Sequence, residues 1–243
     1  QNTSKLFPGI KMTYFTSDYV NGAAPEVLNH LLETNSKNLT GYGSDDYCEI
    51  AISKIKKACN KPDADVYFLT GGTQTNQIVI STVLKPFEGV IAAKTGHVSG
   101  HEAGAIEFSG HKVLQISHKD GKLSDNSIEN LIKDFYNDRN HEHMVFPGMV
   151  YISLPTEYGT LYSKNELQNI YQVCQKYNIF LYIDGARLGY ALASPQNDLS
   201  LSDIANLCDA FYIGGTKVGA LCGEALIFTN NRFETPAHFI TQI

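Results

Sequence analysis

Apolar runs of strand length alternate with amphipathic helical stretches from about residue 66 onward, and this alternation constrains the fold more than any other feature of the chain. The runs lack the polar residue at every second position that marks a half-buried strand, so they predict strands covered on both faces. Seven runs are predicted as strands: 66–69, 90–93, 112–117, 149–154, 179–183, 210–214 and 224–228. Strands joined by helices predict an α/β fold with a mostly parallel sheet flanked by helices.

Helices are predicted where apolar residues recur at helical spacing behind a recognisable start signal. The predicted helices are 25–34, 44–60, 73–84, 124–136 and 163–177. Pro25 suits the first position of a helix, because its missing N–H would be unpaired there anyway. Ser44 is the predicted N-cap of the second helix, with two aspartates in the first turn. Ser163 and Glu166 form a capping box at the start of the last one.

The composition excludes several classes of function. The chain has 243 residues, of which 43% are hydrophobic, which is enough for one large core. Lys and Arg number 19 against 25 Asp and Glu, giving a formal charge of -6, and no basic patch occurs, so no nucleic-acid partner is expected. The longest apolar runs are far shorter than a membrane span, so no membrane association is expected. The 5 cysteines contain no CxxC pair, which predicts reduced thiols and a cytoplasmic location.

The segment T-G-G-T-Q-T-N at 70–76 follows a predicted strand and opens a helix. Ligands of an open α/β sheet bind beyond the carboxyl ends of its strands. Gly72 can bring backbone N–H groups close to an anion at the helix start, and Thr73 adds a hydroxyl. The alternative is a glycine turn with a threonine cap. A nucleotide-binding module is disfavoured, because the segment matches neither a Walker A loop nor GxGxxG.

Two more predicted strands end in groups that can carry chemistry. Asp184 closes one buried run and Arg187 follows three residues later; alone, they are more often a helix cap and an ion pair than a functional site. Lys217 follows another run, inside a loop of small residues. Alone, it is more often a solvated lysine than a reactive one.

Taken together, the three segments place an anion cradle, a carboxylate and a primary amine at the ends of strands in one sheet. Pyridoxal phosphate needs this set, since it forms an imine with a lysine and its ring nitrogen takes an acidic partner. Its phosphate suits the start of a helix. The sequence therefore predicts a pyridoxal-phosphate site, in which small residues around Lys217 leave room for the cofactor.

Seven short segments also match the pattern of one enzyme family: T-S-D (16–18), Y-G-S-D-D (42–46), G-T-Q-T-N (72–76), H-V-S-G-H-E-A-G-A (97–105), P-T-E-Y-G-T (155–160), D-G-A-R (184–187) and T-K-V-G (216–219). On these segments the chain resembles the threonine aldolase and β-eliminating lyase branch of fold-type-I pyridoxal-phosphate enzymes. It is most similar to low-specificity L-threonine aldolases. The resemblance runs from about residue 12 to the end of the chain.

The resemblance implies the large domain of fold type I at 41–243, with an N-terminal segment, 1–40, packed on it. The small C-terminal domain of such enzymes lies outside this chain. A homodimer or homotetramer is implied as well, with Tyr42 in the segment that family dimers place at the subunit interface.

The resemblance also implies cofactor contacts. Lys217 would bind pyridoxal phosphate covalently and act in catalysis. Asp184 would pair with the ring nitrogen, and His97 would stack on the ring. Gly72 and Thr73 would hold the phosphate.

For the substrate, a small amino acid, the resemblance implies contacts from Ser17 and Arg187 to its carboxylate, with Arg187 also near the cofactor. His97 is the candidate base, because histidine titrates near neutral pH. No metal is expected, since His97 and His101 do not follow the order of a zinc-protease motif.

The predicted reaction is the retro-aldol cleavage of L-threonine or a related β-hydroxy-α-amino acid to glycine and an aldehyde. The pair at 157–158 is Glu-Tyr, where typical aldolases of the family carry His-Asn. The alternatives are therefore a β-eliminating lyase or an aminotransferase of the same fold, or a catalytically silent homologue.

Overall fold

The computed structural model describes residues 16–233, and these residues form one seven-stranded sheet with helices packed on it. The strands are β1 (Asp65–Leu69), β2 (Glu88–Ala93), β3 (Val113–Ile116), β4 (Phe146–Ser153), β5 (Phe180–Asp184), β6 (Ala210–Gly214) and β7 (Glu224–Phe228). The α-helices are α1 (Pro25–Thr34), α2 (Asp46–Cys59), α3 (Gly72–Val83), α4 (His97–Gly100), α5 (Ala105–Phe108), α6 (Asp125–Asn137), α7 (Lys164–Lys176), α8 (Leu188–Ala193) and α9 (Leu201–Asn206).

The sheet is mostly parallel, as predicted. Its strand order is β1-β7-β6-β5-β4-β2-β3, and β7 alone runs antiparallel to its two neighbours. All seven predicted strands are confirmed, although β4 begins three residues before the predicted start at 149. The extra residues are recruited because Phe146 and Pro147 pair with the beginning of β2. The carboxyl ends of β1, β2, β4, β5 and β6 consequently meet along one edge.

Two hydrophobic cores lie on opposite faces of the sheet. One contains buried side chains of α2, α6, α7, α8 and α9, and the other contains those of α3, α4 and α5. Successive strand residues point to opposite faces, so Tyr151 and Tyr182 join the second core while Val150 and Ile183 join the first. Burial on both faces explains why the strands read as continuous apolar runs.

The helix caps confirm one prediction and correct another. Ser163 and Glu166 form the predicted capping box, in which the Glu166 carboxylate accepts the Ser163 backbone N–H at 2.8 Å. At α2 the predicted cap, Ser44, is wrong by one residue. The Asp45 carboxylate accepts the N–H groups of Tyr47 and Cys48, the second and third residues of the helix, at 3.0 and 3.1 Å, whereas the Ser44 hydroxyl donates back to the Gly41 carbonyl. A carboxylate is favoured at a helix N-terminus because it also complements the helix dipole.

The predicted N-terminal segment, 1–40, is described from residue 16 onward, and it touches the rest of the chain at few points. The Ala24 N–H donates to the carbonyl of Gly219 at 2.9 Å. α1 buries none of its residues. The division into 1–40 and 41–243 stays a prediction.

Two further observations concern the predicted environment of the protein. All five cysteines are free thiols, and Cys59, Cys174 and Cys208 are buried. In the described part of the chain, every helix is too short or too polar to span a bilayer.

Candidate functional site

A cavity of about 270 Å³ opens at the edge of the sheet where the parallel strands end. Its walls come from the loops after β1, β4, β5 and β6 and from the first turns of α3 and α4. Because β7 runs antiparallel, its first residue, Glu224, lies at the same edge and lines the cavity too. The cavity thus lies where the strand-end rule predicts a ligand site.

Six of the seven predicted site residues line this one cavity: Gly72, Thr73, His97, Asp184, Arg187 and Lys217. The seventh, Ser17, is not among the lining residues, and its hydroxyl accepts the Tyr19 N–H at 3.5 Å. The two residues after Ser17 do reach the site, since Tyr19 lines the cavity and Asp18 binds Arg187.

Asp184 is the most heavily hydrogen-bonded group of the cavity. It is 4% exposed and accepts four hydrogen bonds. The donors are the hydroxyls of Tyr151 and Tyr212, both at 2.6 Å, and the Asn76 amide and the Ala186 N–H, both at 2.9 Å. Burial raises the pKa of both tyrosines well above the usual value of 10.0, so their hydroxyls stay protonated and donate. An ionised carboxyl accepts hydrogen bonds and donates none, so this set of donors suits a charged Asp184.

Gly72 is required by the same network. A Cβ atom on Gly72 would lie 2.9 Å from the Tyr212 hydroxyl oxygen, which is the oxygen that donates to Asp184. Gly71 is the N-cap of α3 and, like Gly72, has no side chain to cap the helix. The first turn of this 12-residue helix is thus left without a side-chain cap at the wall of the cavity, which suits an anion. The alternative of a threonine cap at Thr73 is wrong.

The loop after β6 holds Lys217 at the cavity wall. The buried Glu224 carboxylate accepts the Gly215 N–H at 3.1 Å and the Thr216 hydroxyl at 2.9 Å, and so fixes the residues just before Lys217. The Tyr190 hydroxyl donates to the Lys217 carbonyl at 2.7 Å. Gly215 permits this fold, because a Cβ atom there would lie 2.5 Å from the carbonyl oxygen of Gly223. Within residues 16–233, Lys217 Nζ has no hydrogen-bonding or ionic partner.

His97 begins α4 and is anchored from two sides. Its backbone N–H donates to a carboxylate oxygen of Glu157 at 2.9 Å, and its Nδ1 lies 2.8 Å from Glu102 Oε1. The hydrogen bond with Glu102 is the main cause of a raised pKa for His97, while burial and the charge of Lys217 oppose it.

Arg187 is paired with Asp18, from the beginning of the described chain. Arg187 Nε donates to Asp18 Oδ2, and Nη2 lies 3.2 Å from Oδ1. Burial alone would raise the pKa of Asp18, but the hydrogen bond and the charge of Arg187 outweigh it and lower that pKa. The structural alternative, an ion pair of Arg187 with Asp184, is not what the chain forms.

Several residues of the site were not predicted: Asp18, Asn76, Tyr151, Glu157, Tyr212 and Glu224. Buried tyrosines in apolar strands carry a weak signal, because a buried hydroxyl needs a partner. Among the described residues no group of histidines, cysteines and carboxylates is arranged to hold a metal ion.

Comparisons with known proteins show the family to which the chain belongs. The model of the beta-eliminating lyase family matches residues 15–242. The low specificity L-threonine aldolase of Pseudomonas aeruginosa is 32% identical over 222 residues, which cover 89% of this chain and 62% of that protein. A homologous aldolase from another Pseudomonas strain is also 32% identical, with 90% and 62% covered. The structure of a threonine aldolase from Leishmania major superposes with a TM-score of 0.89 at 48% identity, covering 94% of this chain and 66% of that one. The chain thus spans less than two thirds of the length of these relatives.

Proposed function

Because the chain belongs to the beta-eliminating lyase family and has the large-domain fold of fold-type-I pyridoxal-phosphate enzymes, we propose that it binds pyridoxal phosphate. We propose further that the protein cleaves L-threonine and related β-hydroxy-α-amino acids to glycine and an aldehyde. The observation that carries the proposal is the unpaired amine of Lys217, which faces the same cavity as the Asp184 carboxylate. The names of the relatives support the substrate class.

Four residues would hold the cofactor. Lys217 Nζ would bind it covalently, and the first turn of α3, at Gly72 and Thr73, would take its phosphate. Asp184 would accept a hydrogen bond from the protonated ring nitrogen. Four neutral donors already hold the carboxylate in place, so it presents its charge without rearrangement. When bound, pyridoxal phosphate supplies an acceptor for the electron pair released as the Cα–Cβ bond breaks.

The remaining predicted residues would act on the substrate. Arg187 would attract the substrate carboxylate. Ser17 would contact the same carboxylate, since it directly precedes Asp18, which is paired with Arg187. His97 would accept the proton of the β-hydroxyl as the bond breaks, and it would pack against the cofactor ring. These roles are proposals that rest on the shared cavity and on the resemblance of the motifs.

The proposed reaction is tested by its products. Full-length protein incubated with pyridoxal phosphate and L-threonine is expected to release acetaldehyde and glycine in equal amounts. The name of the matching family favours one second candidate, β-elimination, which would release ammonia and a keto acid instead. Protein that binds the cofactor and yields neither pair of products would show a catalytically silent homologue, and would contradict the proposal.

We also propose that the full-length protein forms a homodimer or homotetramer through α1 and the residues around Tyr42. The side chains of Leu28, Leu31 and Leu32 on α1 are 43%, 49% and 76% exposed, and Tyr42 is completely exposed. Several large apolar side chains exposed together on one helix favour a contact with another protein surface. Sedimentation velocity at micromolar concentration is expected to show a dimer or tetramer, and Leu32→Asp is expected to shift it toward smaller species. A monomeric wild type would contradict this proposal.

A further inference from the structure

We propose that Glu102 is a positioning residue for His97: it holds the proton on Nδ1, leaves Nε2 as the basic nitrogen at the cavity, and stabilises the imidazolium that forms when Nε2 takes a proton. The inference rests on the proposed function for its chemical meaning, because His97 is the candidate base. The tautomer and the titration of the His97 ring can be measured in the protein without cofactor.

Glu102 is an unusual residue to bury. Its side chain is 1% exposed, while the side chain of its partner His97 is 30% exposed. A buried carboxylate is costly unless its oxygens are hydrogen-bonded. Yet in the described part of the chain Glu102 Oε2 has no partner, and both recorded contacts go to Oε1. A buried carboxylate with one oxygen that lacks a hydrogen bond is a candidate for a functional role, because it does not add to stability.

The two contacts of Glu102 Oε1 fix its role as an acceptor. The Asn76 amide nitrogen donates to it at 2.7 Å, and an amide nitrogen cannot accept. The same nitrogen donates to Asp184 at 2.9 Å, and the other atom of the amide, Oδ1, accepts the Tyr182 hydroxyl, which sets the orientation of Asn76. The Asn76 amide therefore holds two carboxylates in place, that of Asp184 and that of Glu102, which bonds to His97.

The tautomer of His97 follows from this acceptor. Nδ1 lies 2.8 Å from Glu102 Oε1, so the neutral ring carries its hydrogen on Nδ1. The nitrogen left without a described partner is Nε2, on a residue that lines the cavity. When Nε2 accepts a proton from a hydroxyl, both ring nitrogens carry hydrogen and the ring becomes a cation. The net charge of the His97–Glu102 pair then changes from -1 to zero. The negative carboxylate, in contact with Nδ1, stabilises the new cation, as a buried aspartate does for the histidine of a catalytic triad.

The backbone directly after Glu102 is strained at Ala103. Ala103 and Gly104, which follow it, both have left-handed backbone angles, with φ of 51° and 75°. A non-glycine residue in this region costs free energy, and such residues cluster at functional sites.

Other charged groups also act on His97, and they must be weighed against Glu102. Asp184 and Lys217 face it from the sheet edge with opposite effects on the pKa of His97, and Glu157 binds its backbone N–H. The ring of His101 lies 5.8 Å from its ring. Glu102 is the one of these groups that bonds to the ring itself.

The test reads the imidazole directly. In full-length protein freed of cofactor and labelled with ¹⁵N histidine, neutral His97 is expected to be the Nδ1–H tautomer, with a titration midpoint above 6.5. Glu102→Gln, which removes the charge at nearly constant shape, is expected to lower that midpoint by about one unit or more. In the loaded enzyme, the rising limb of the kcat–pH profile is expected to move to lower pH by a similar amount.

Glu107→Gln is the matched control, since Glu107 is exposed and lies five residues further along the same segment. It should leave the His97 midpoint unchanged. An Nε2–H tautomer in the wild type, or an unchanged midpoint in folded Glu102→Gln, would overturn the inference. If Glu102→Gln does not fold, the wild-type tautomer and midpoint decide the matter. Failure to cleave L-threonine would refute the proposed function and leave these measurements of His97 unaffected.

Discussion

Lys217→Ala is expected to lower the turnover of L-threonine by at least about a thousandfold, which corresponds to roughly 4 kcal/mol of activation free energy. The amine is the group in the cavity that can form a covalent bond with the cofactor carbonyl, and among the described residues no other lysine lines the cavity. The protein should still fold, because within residues 16–233 Lys217 Nζ makes no hydrogen bond or ion pair whose loss would cost stability.

Covalent attachment can be checked separately from turnover. Borohydride added to the loaded wild-type protein is expected to fix the cofactor to Lys217, as peptide mapping by mass spectrometry would show. Lys94→Ala is the matched control, because Lys94 is an exposed lysine directly after β2 at the same edge of the sheet. A reduced adduct on another lysine, or full turnover in Lys217→Ala, would refute the assignment.

Asp184→Asn is expected to lower turnover by at least about tenfold, equivalent to about 1.4 kcal/mol, because the ring nitrogen loses a charged partner. It should also destabilise the cofactor-free protein by roughly 1–3 kcal/mol, since a buried donor is left unpaired. The reason is geometric: the new amide NH₂ group would face hydroxyl, amide and backbone donors where the carboxylate accepted four hydrogen bonds.

Thermal unfolding of the cofactor-free protein, together with kcat, separates these two effects. Asp209→Asn provides the control, because Asp209 is also buried and hydrogen-bonded, to the Leu181 N–H and to Arg232, and does not line the cavity. It should lose stability while the folded fraction keeps its turnover. Normal turnover in Asp184→Asn would mean that another group serves the ring nitrogen.

The strands and six of the residues that line the cavity were predictable, because these features follow from local sequence. Buried strands such as β5 are continuous apolar runs, and the polar residue that ends each run lies at the carboxyl edge of the sheet. Asp184 ends β5 and Lys217 lies three residues after the end of β6, and the rule for strand ends therefore predicts that both lie near one site. The position of β7 within the sheet was not predicted, and neither was the contribution of Glu224, which depends on the reversed direction of that strand.

The partners of the site residues could not be predicted, because they come from distant parts of the chain. Asp184 meets Asn76 across 108 residues, and Arg187 meets Asp18 across 169. Such contacts depend on strand order and register, which a single sequence does not specify. The shift of the α2 cap from Ser44 to Asp45 has a smaller cause, since both residue types are good caps and only the path of the chain selects between them.

The ion pair between Asp18 and Arg187 makes the N-terminal segment a competitor for anions in the cavity. The guanidinium already donates from Nε and Nη2 to an internal carboxylate. An external carboxylate that binds Arg187 side-on, through Nε and Nη2, draws on the same donors, so the binding of such an anion is coupled to the docking of the segment. Such a coupling is reciprocal: an anion loosens the segment by the same free energy with which the docked segment weakens the anion. An anion that binds in this way must therefore interact with Arg187 more favourably than Asp18 does before it replaces the Asp18 carboxylate.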